Sequence, residues 1–407
     1  MKWGFPFGIS VIFWSVIGLI RWVFERRNLQ TEVFDPQDLK KVAVCIPAHN
    51  EETVLQKTIS SIPAVITKTQ IHVVSDGSTD NTTAIATAAG VSILRLKPGR
   101  GKAGALQILL KKYKILTRYQ YVLFLDADTF LTPNYFQKAL PLIKNPKVAA
   151  VATYVINNWG NPPRLSTEAY FMAYWTRLFR LLQFLIMYAQ TSLFLNTSPI
   201  IPGFAAFYKT SVLKKIQINT PGMTMEDFNM TFQVRKKKLG LIAHHPKVAA
   251  YVQESSRLFD YMHQIRRWNI GYFQTLRRYG IWPSIFWLSN GMFSLEVFAT
   301  AIFYSFLPVI ALLIFLPDNL FQIPLLTPFD LWLSQEFRSL FELFIVIFLM
   351  DYSFTLAVAV YESRPSIAFY GLGFIFLRIV DSLVYLSSIP AGLLTKSSGR
   401  WISPTRR

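Results

Sequence analysis

The chain has 407 residues, with 42 Lys and Arg against 23 Asp and Glu, which gives a formal net charge of +19 at pH 7. Apolar types make up 52% and charged types 16% of the residues. This composition is shifted toward membrane proteins and excludes a disordered chain, because too much apolar surface would remain in water. The single cysteine, Cys45, excludes an intramolecular disulfide framework. The length suffices for one soluble domain of roughly 250 residues plus several membrane helices.

The first segment in chain order is an uncharged apolar run at residues 4–20, followed at once by Arg21, Arg26 and Arg27. A spanning helix needs about 20 mainly apolar residues, and Arg21 can extend this one by snorkelling. A cleaved signal peptide has its positive charges before the apolar run instead. We therefore predict an uncleaved transmembrane anchor at residues 1–24, with its C-terminal side in the cytoplasm.

The region from residue 40 to residue 280 alternates strand and helix patterns. The strand patterns lie at residues 42–47, 71–76, 91–96 and 121–126, and the helical patterns between them at 51–61, 80–90 and 101–114. Near-continuous apolar strands that alternate with helices predict an α/β fold, a mostly parallel sheet with helices on both faces. Ligands bind beyond the carboxyl ends of such strands. Polar residues stand at three of these ends: Asn50-Glu51, Asp76-Gly77-Ser78 and Asp126-Ala127-Asp128.

The pair Asp126 and Asp128 follows the fourth strand directly, in the sequence FLDADT. Two carboxylates at positions i and i+2 can both reach a divalent cation that bridges a diphosphate, and their hard oxygens suit Mg²⁺ or Mn²⁺. The alternative is a solvated turn, since Asp is common in turns. The aspartyl-phosphate phosphatases carry Asp-x-Asp-x-Thr at such a strand end, but here Thr129 comes one position too early.

The turn Gly99-Arg100-Gly101-Lys102 precedes a helix and predicts a phosphate cradle, because a helix N-terminus with a lysine favours an anion. It is not a Walker A loop, which needs a glycine where position 96 is Leu, and Ser or Thr where position 103 is Ala. An ordinary glycine turn is the alternative.

Two further groups of side chains are candidates for the chemistry. Glu226 and Asp227 open a helical run, where an acid either complements the helix dipole or serves as a general base. Gln264, Arg267 and Trp268 share a face of one amphipathic helix, since they lie at i, i+3 and i+4. An amide, a guanidinium and an indole suit a sugar hydroxyl, a phosphate and a pyranose ring. The alternative is an interfacial helix with Trp and Arg at the lipid headgroups.

Two segments, about residues 167–191 and 260–280, are predicted as interfacial helices. The first is apolar and aromatic with Arg177 and Arg180 within it, which is typical of a helix on the membrane surface. A buried core helix is the alternative for that segment. His244 and His245 face opposite sides of a predicted strand, so we expect no metal site there.

The C-terminal region, residues 282–395, predicts about three to four membrane segments, with spans near 293–316, 340–361 and 366–394. Residues 208–280 carry 13 Lys and Arg against 4 Asp and Glu, which places the middle domain in the cytoplasm beside anionic lipid.

The side on which the tail lies is left open by the sequence. Three crossings after a cytoplasmic domain would place residues 396–407 outside, yet this tail has four basic residues and no acid, which favours the inside. Either the last apolar stretch forms two short or re-entrant segments, or it lies along the interface. In the second case Arg378 and Asp381 would face protein or water.

Taken together and in order, the motifs resemble those of the family 2 glycosyltransferases. The resemblance is to the membrane-integrated β-glycan synthases, which include poly-N-acetylglucosamine, hyaluronan, chitin and cellulose synthases. The segments that carry it are IPAHNEE, VVSDGSTDNT, GKAGAL, FLDADT, GFAAF, MEDFNMT and QIRRW. One departure is that the usual Asp-Asp-Gly of the family reads Ser75-Asp76-Gly77 here.

The resemblance implies a GT-A nucleotide-sugar fold, a UDP-sugar donor, Mg²⁺ or Mn²⁺, and an inverting mechanism. By analogy, the uridine and nucleotide are held by Pro47, Ala48, Glu51, Asp76 and Lys102. Asp126 would face the ribose and Asp128 the metal, while Asp227 would deprotonate the acceptor hydroxyl. The acceptor and diphosphate end would be lined by Glu226, Gln264, Arg267 and Trp268.

These implications predict an integral plasma (inner) membrane enzyme that extends a β-linked glycan at the cytoplasmic face and could pass it outward. An alternative is one transfer to a lipid such as a ceramide, a diacylglycerol or a polyprenyl phosphate. A catalytically idle membrane scaffold is a different class, which the joint presence of Asp126, Asp128 and Asp227 disfavours. A transporter with a regulatory nucleotide domain is weaker still. We expect no nucleic-acid partner, because the basic excess flanks the membrane segments and is explained by lipid and the diphosphate.

Overall fold

The computed structural model describes residues 8–27, 34–160, 162–191, 195–315 and 327–397. Within them an eight-stranded sheet forms the centre of residues 34–280, the region in which the sequence predicts the catalytic residues and which we call the catalytic domain. Its strands are β1 (Val42–Ala48), β2 (Ile71–Asp76), β3 (Ser92–Leu96), β4 (Tyr121–Leu125), β5 (Phe130–Leu131), β6 (Val148–Asn157), β7 (Ala205–Lys209) and β8 (Leu241–Val252). The four strands predicted from the sequence are confirmed with bounds that differ by one residue at most.

The helices of the described residues surround this sheet and extend from it. Those of the catalytic domain are α2 (Leu55–Ser61), α3 (Thr82–Ala88), α4 (Gly101–Lys112), α5 (Ile115–Arg118), α6 (Tyr135–Lys144), α7 (Thr167–Leu182), α8 (Thr210–Leu213), α9 (Glu226–Lys236) and α10 (Leu258–Tyr279). The others are α1 (Ile9–Arg27), α11 (Ile285–Phe315), α12 (Thr327–Tyr361), α13 (Pro365–Gly371) and α14 (Phe374–Leu394). A π-helical stretch, Gln183–Tyr188, continues α7, and short 3₁₀ turns occupy Pro36–Lys41 and Lys68–Gln70.

The strand order is β3-β2-β1-β4-β7-β6-β8-β5. Strands β1 to β4 are mutually parallel, whereas β7 is antiparallel to both β4 and β6. Strand β8 is parallel to β6, and β5 is antiparallel at the edge. Six strands therefore run in one direction, and their carboxyl ends share one edge of the sheet, where ligands bind in such folds. The predicted α/β class, mostly parallel, is confirmed.

Strand β1 shows why these residues form a central strand. All seven of its residues are buried, and its side chains alternate between two apolar cores. Val42, Val44 and Ile46 join the core that holds helices α2 and α6, while Ala43 and Cys45 join the core on the side of α4. A sheet covered on both faces requires such a continuous apolar run. Cys45 is fully buried, and burial raises the pKa of its thiol, so the thiolate is disfavoured there.

Helix α7 corrects one prediction from the sequence. It was expected to present an apolar face to the membrane as part of the interfacial segment 167–191, but most of its side chains are buried by protein. Helices α12 and α13 pack on it, and Arg177 is only 1% exposed, with its guanidinium 2.6 Å from a carboxylate oxygen of Asp351. The aromatic residues that suggested lipid contact instead join strand β6 to the C-terminal helices. The buried alternative is the one observed.

Three helices of the described residues are long and apolar enough to cross a membrane, by length and composition: Ile285–Val309, Phe344–Tyr361 and Phe374–Leu394. Helix α1 is not among them, although many of its apolar side chains are exposed. The first turn of α1 is bound by Glu296 of α11, whose carboxylate accepts hydrogen bonds from the backbone N–H groups of Gly8 and Ser10. The N-terminal residues 1–7 and the tail from residue 398 lie outside the described residues.

Both ends of α14 contact the catalytic domain. Next to its first residue, the carbonyl of Gly373 accepts a 2.7 Å hydrogen bond from the Tyr170 hydroxyl. Near its last residue, the carbonyl of Leu393 accepts one from Arg277, also at 2.7 Å. Beyond the helix, the N–H of Ser397 bonds to the Gly222 carbonyl at 3.2 Å. Both ends of helix α14 are therefore held against the same domain, although its length and composition would allow it to cross a membrane.

Candidate active site

An open cavity of about 2070 Å³ lies at the carboxyl edge of the six parallel strands. It continues between the catalytic domain and helices α11, α12 and α14, so residues that are far apart in sequence share one space. The predicted site residues that line it are Glu51, Lys102, Asp126, Asp128, Glu226, Asp227, Gln264, Arg267 and Trp268. Several of the predicted motifs therefore share one cavity, whereas the strand end at Asp76 does not line it.

Lys102 lies at the centre of the site, one residue into α4. Its ammonium is 2.7 Å from an oxygen of Asp126 and 2.8 Å from an oxygen of Glu226. Burial alone would lower the pKa of Lys102, but the two carboxylates outweigh it and raise the pKa above its usual value. The lysine is therefore a fixed cation that joins the end of strand β4 to the start of helix α9.

Gly203, two residues before β7, allows this close approach. Gly203 lies beside Lys102, Glu226 and Asp227, and a Cβ there would come within 3.2 Å of both the Glu226 carboxylate and the Lys102 ammonium. The Gly203 carbonyl also accepts a 3.4 Å hydrogen bond from Lys102. Because β7 is antiparallel, its first residue stands at the same edge as the ends of its parallel neighbours. The GFAAF segment was noted in the sequence, but this role of its glycine was not predicted.

The two adjacent acids of α9 have opposite pKa shifts. Burial works against ionisation of Glu226, but Lys102 overcomes it and holds the pKa of Glu226 below its usual value. Burial together with the negative charge of Glu226 raises the pKa of Asp227 to about 7. Asp227 is 7% exposed and accepts a 2.7 Å hydrogen bond from the N–H of Phe228. A carboxylate that exchanges its proton near neutral pH is suited to general base catalysis.

Asp126 and Asp128 provide two further carboxylates to the lining of the cavity. Burial and the neighbouring Asp128 raise the pKa of Asp126 to about 6 against the attraction of Lys102. The described residues contain no group of three or more His, Cys, Asp or Glu placed to hold a metal. A pair of carboxylates fits Mg²⁺ or Mn²⁺ when phosphate oxygens of a ligand complete the coordination, which is the usual arrangement for Mg²⁺. The donor set therefore fits a cation that arrives with a diphosphate.

Of the three candidate residues on α10, Gln264 contacts an acid that the sequence analysis did not select. The amide of Gln264 donates a 2.6 Å hydrogen bond to Glu254, two residues beyond the end of β8. Arg267 is exposed in the cavity and contributes to the low pKa of Glu226. Trp268 packs edge-to-face on Trp175, with ring centroids 5.8 Å apart. Glu254 follows a parallel strand, so the rule that selected Asp126 also applies to it.

Three residues expected at the uridine end stand back from the cavity. Pro47 and Ala48 are buried within β1, where Pro47 is in register with Val74 of β2. Asp76 is 2% exposed, and its carboxylate accepts a 2.6 Å hydrogen bond from the N–H of Arg100. Asp76 thereby fixes the glycine turn that leads into Lys102. Nucleotide contact by these three residues stays a prediction.

Comparison with known proteins gives a consistent result. Residues 43–217 match the family model described as Glycosyl transferase family 2. Over 422 aligned residues the chain is 24% identical to a poly-β-1,6-N-acetyl-D-glucosamine synthase of Staphylococcus epidermidis, an alignment that covers 97% of this chain and 95% of that protein. A synthase of the same name from Staphylococcus aureus is 28% identical over 162 residues, 37% of this chain and 36% of that protein.

Solved structures were also compared with the fold. A mannosyltransferase from Pyrobaculum calidifontis in complex with GDP-Man and Mn²⁺ aligns with a TM-score of 0.47 and 15% identity, over 90% of this chain and 97% of that one. Glucosyl-3-phosphoglycerate synthase from Mycobacterium tuberculosis, in complex with Mn²⁺, UDP and glucosyl-3-phosphoglycerate, aligns with a TM-score of 0.40 and 17% identity. That alignment covers 63% of this chain and 88% of the synthase.

Proposed function

Because this chain carries a family 2 glycosyltransferase domain, we propose that it is an inverting transferase that moves N-acetylglucosamine from its UDP derivative to a growing β-linked glycan. The choice of sugar rests on the synthases of that name, which align over nearly the whole chain. The observation that carries the proposal is the shared cavity, which brings Lys102, Asp126 and Asp128 together with Asp227 and the face of Gln264, Arg267 and Trp268.

In this proposal each side chain has one task. Asp227 accepts the proton of the acceptor hydroxyl as that oxygen attacks the anomeric carbon, and UDP leaves from the opposite face. Trp268 supports the acceptor ring, and Arg267 and Lys102 supply positive charge to the diphosphate side of the cavity. A divalent cation, held by Asp128 and Asp126, would neutralise charge on the diphosphate. Fixed charges of this kind stabilise the leaving group without reorganisation during the reaction.

The C-terminal helices support a placement of this site at the cytoplasmic face of the plasma membrane. Helices α11 and α12 would cross the bilayer. Helix α14 would lie along its surface, because both of its ends contact the catalytic domain. The tail would then remain on the catalytic side, which agrees with its basic residues. Since the cavity extends to Tyr304 of α11 and Asp351 of α12, it also offers a route by which a product could leave toward the membrane.

A second candidate function is a single transfer to a lipid acceptor. The observation in its favour is an apolar part of the same cavity, between α1, α7 and α11, which is lined by Val11, Leu182, Ile186, Phe293 and Val297. This apolar surface could contact the hydrocarbon chain of a lipid acceptor, and it is equally compatible with a glycan site that adjoins the membrane.

The test is to incubate the purified full chain, in detergent with Mn²⁺, with a panel of UDP-sugars, and to measure UDP release and product size together. We expect release with UDP-N-acetylglucosamine and a ladder of oligomers. One discrete glycolipid would favour the second candidate. A chain that binds UDP yet transfers no sugar to any acceptor or lipid extract would refute both. Asp227→Asn serves as the matched inactive control.

A further inference from the structure

Five basic side chains form an exposed group where α9 and α10 end; we call Lys236, Lys237, Lys238, Arg277 and Arg278 the basic collar. The two helices meet at this point, because the ammonium of Lys236 donates a 2.8 Å hydrogen bond to the carbonyl of Tyr279. The collar lies outside the cavity, and none of its members lines the candidate active site. The proposed chemistry therefore does not account for it.

The charge of the collar is not neutralised by acids. Lys237 donates to the carbonyl of Lys215 at 2.7 Å and Arg277 to that of Leu393 at 2.7 Å, so these side chains are held by neutral oxygens. Across the part of the chain that the structure describes, no collar residue forms an ion pair, and residues 261–295 contain neither Asp nor Glu. Two helix C-termini lie beside the collar, and each offers only about half a negative charge. A net positive charge remains.

The apolar surface of α11 begins directly beside the collar. The Lys236 ammonium lies 5.6 Å from the ring centroid of Trp282, and Ile281 is 83% exposed. Ile285 and Leu288, in the first turn of the candidate span, are 62% and 67% exposed. Tryptophan at the start of a span marks the headgroup level of a bilayer. When α11 crosses a membrane, the collar is therefore at the depth of the lipid phosphates.

We propose that the basic collar is a binding site for the headgroups of anionic phospholipids. Its ammonium and guanidinium groups face the phosphates, and Trp282 and Ile281 pack against the adjoining glycerol and upper acyl region. A cation at an anionic membrane surface contributes about fivefold to binding. Loss of two collar cations should therefore reduce the preference for anionic over zwitterionic lipid by roughly 25-fold at low salt, and by less when salt screens the charges.

The experiment uses the full chain in mixed micelles of phosphatidylglycerol and phosphatidylcholine at equal amounts, followed by removal of loose lipid and quantification of the lipid retained. The test variant is Lys236→Gln/Arg278→Gln. The matched control is Lys111→Gln/Lys112→Gln, which removes the same charge from exposed positions at the end of α4. Thermal unfolding and gel filtration confirm that both variants fold. This readout requires no sugar transfer, so its outcome is independent of the proposed function.

We expect the wild type and the α4 control to show the same preference for phosphatidylglycerol, and the collar variant to show a preference that is roughly 25-fold weaker at low salt. Equal retention of phosphatidylglycerol by all three proteins would overturn the proposal. Millimolar inorganic phosphate is added as a second arm. If inorganic phosphate competes for the collar as strongly as the same concentration of phosphatidylglycerol does, the collar is a general anion site and the proposal also fails.

Discussion

The raised pKa of Asp227 predicts how transfer should depend on pH. The proposed base acts only when it is ionised, so kcat/KM should rise with pH through about 7, the value to which burial and Glu226 raise this pKa. With a single titrating group, about 9% of the full rate should remain at pH 6, about half at pH 7 and about 91% at pH 8. The diphosphate of a nucleotide sugar is fully ionised throughout this range, so ionisation of the substrate does not contribute to the pH dependence of kcat/KM.

The assay is initial UDP release coupled to product formation, measured from pH 5 to pH 9 at constant ionic strength and limiting UDP-sugar. Asp227→Asn should lower the plateau by about 10²- to 10⁴-fold and remove the dependence near pH 7. Glu226→Gln removes the negative charge that raises the pKa of Asp227. The rise of kcat/KM with pH should therefore occur at lower pH in this variant, whatever its maximal rate. A wild-type rate that is flat between pH 5.5 and 8, or an Asp227→Asn variant that keeps the limb, would refute the assignment of the base.

Three other substitutions test separate parts of the structure. Asp128→Ala should lose Mn²⁺-dependent UDP binding in calorimetry, and an affinity equal to that of the wild type with Mn²⁺ would remove its metal role. Trp268→Ala should reduce transfer to the acceptor more than hydrolysis of the donor, whereas an equal loss of both would indicate damage to the fold. Among the described residues, Arg177→Met leaves the more distant Arg378, at 3.6 Å, as the ion-pair partner of Asp351, so the free energy of unfolding should fall by up to about 3 kcal/mol. Arg177→Met/Asp351→Leu should regain most of that loss in a denaturation midpoint, and a double variant as weak as the single one would argue against the ion pair.

The catalytic half of the fold could be predicted because its signals are local. Apolar strand runs such as residues 71–76 and the polar residues after them follow from the burial of a sheet on both faces. The same rule, applied to β8, would have selected Glu254, but its strand contains His244, His245 and Lys247 and does not look continuous and apolar. The insertion of antiparallel β7, which explains Gly203, depends on long-range pairing that no local pattern contains.

The membrane half was harder to predict, because amphipathic and buried aromatic helices have similar compositions. Helix α7 carries Arg177 and many aromatic residues, which is typical of an interfacial helix, yet helices from the far end of the chain cover it. The end of α14 is held against the catalytic domain by hydrogen bonds of the Leu393 carbonyl and the Ser397 N–H, which are long-range contacts that the apolar composition of the segment does not indicate. Hydropathy indicates where an apolar helix begins and ends, but it does not indicate whether the helix packs against protein or lipid.

The position of Lys102 between Asp126 and Glu226 has a consequence for the order of events in a catalytic cycle. One carboxylate belongs to the proposed donor side and the other adjoins the proposed base, so a single ammonium group is shared by both substrates' subsites. Any donor that draws this ammonium toward its own phosphates leaves the field of Glu226 on Asp227 less compensated, and Asp227 then holds its proton more tightly. Because binding free energies are reciprocal, protonation of Asp227 must change the affinity for the donor by the same factor by which the donor changes the proton affinity of Asp227. The affinity for UDP, measured from pH 6 to pH 8, would thus report without any turnover how strongly donor binding is coupled to the protonation of the proposed base.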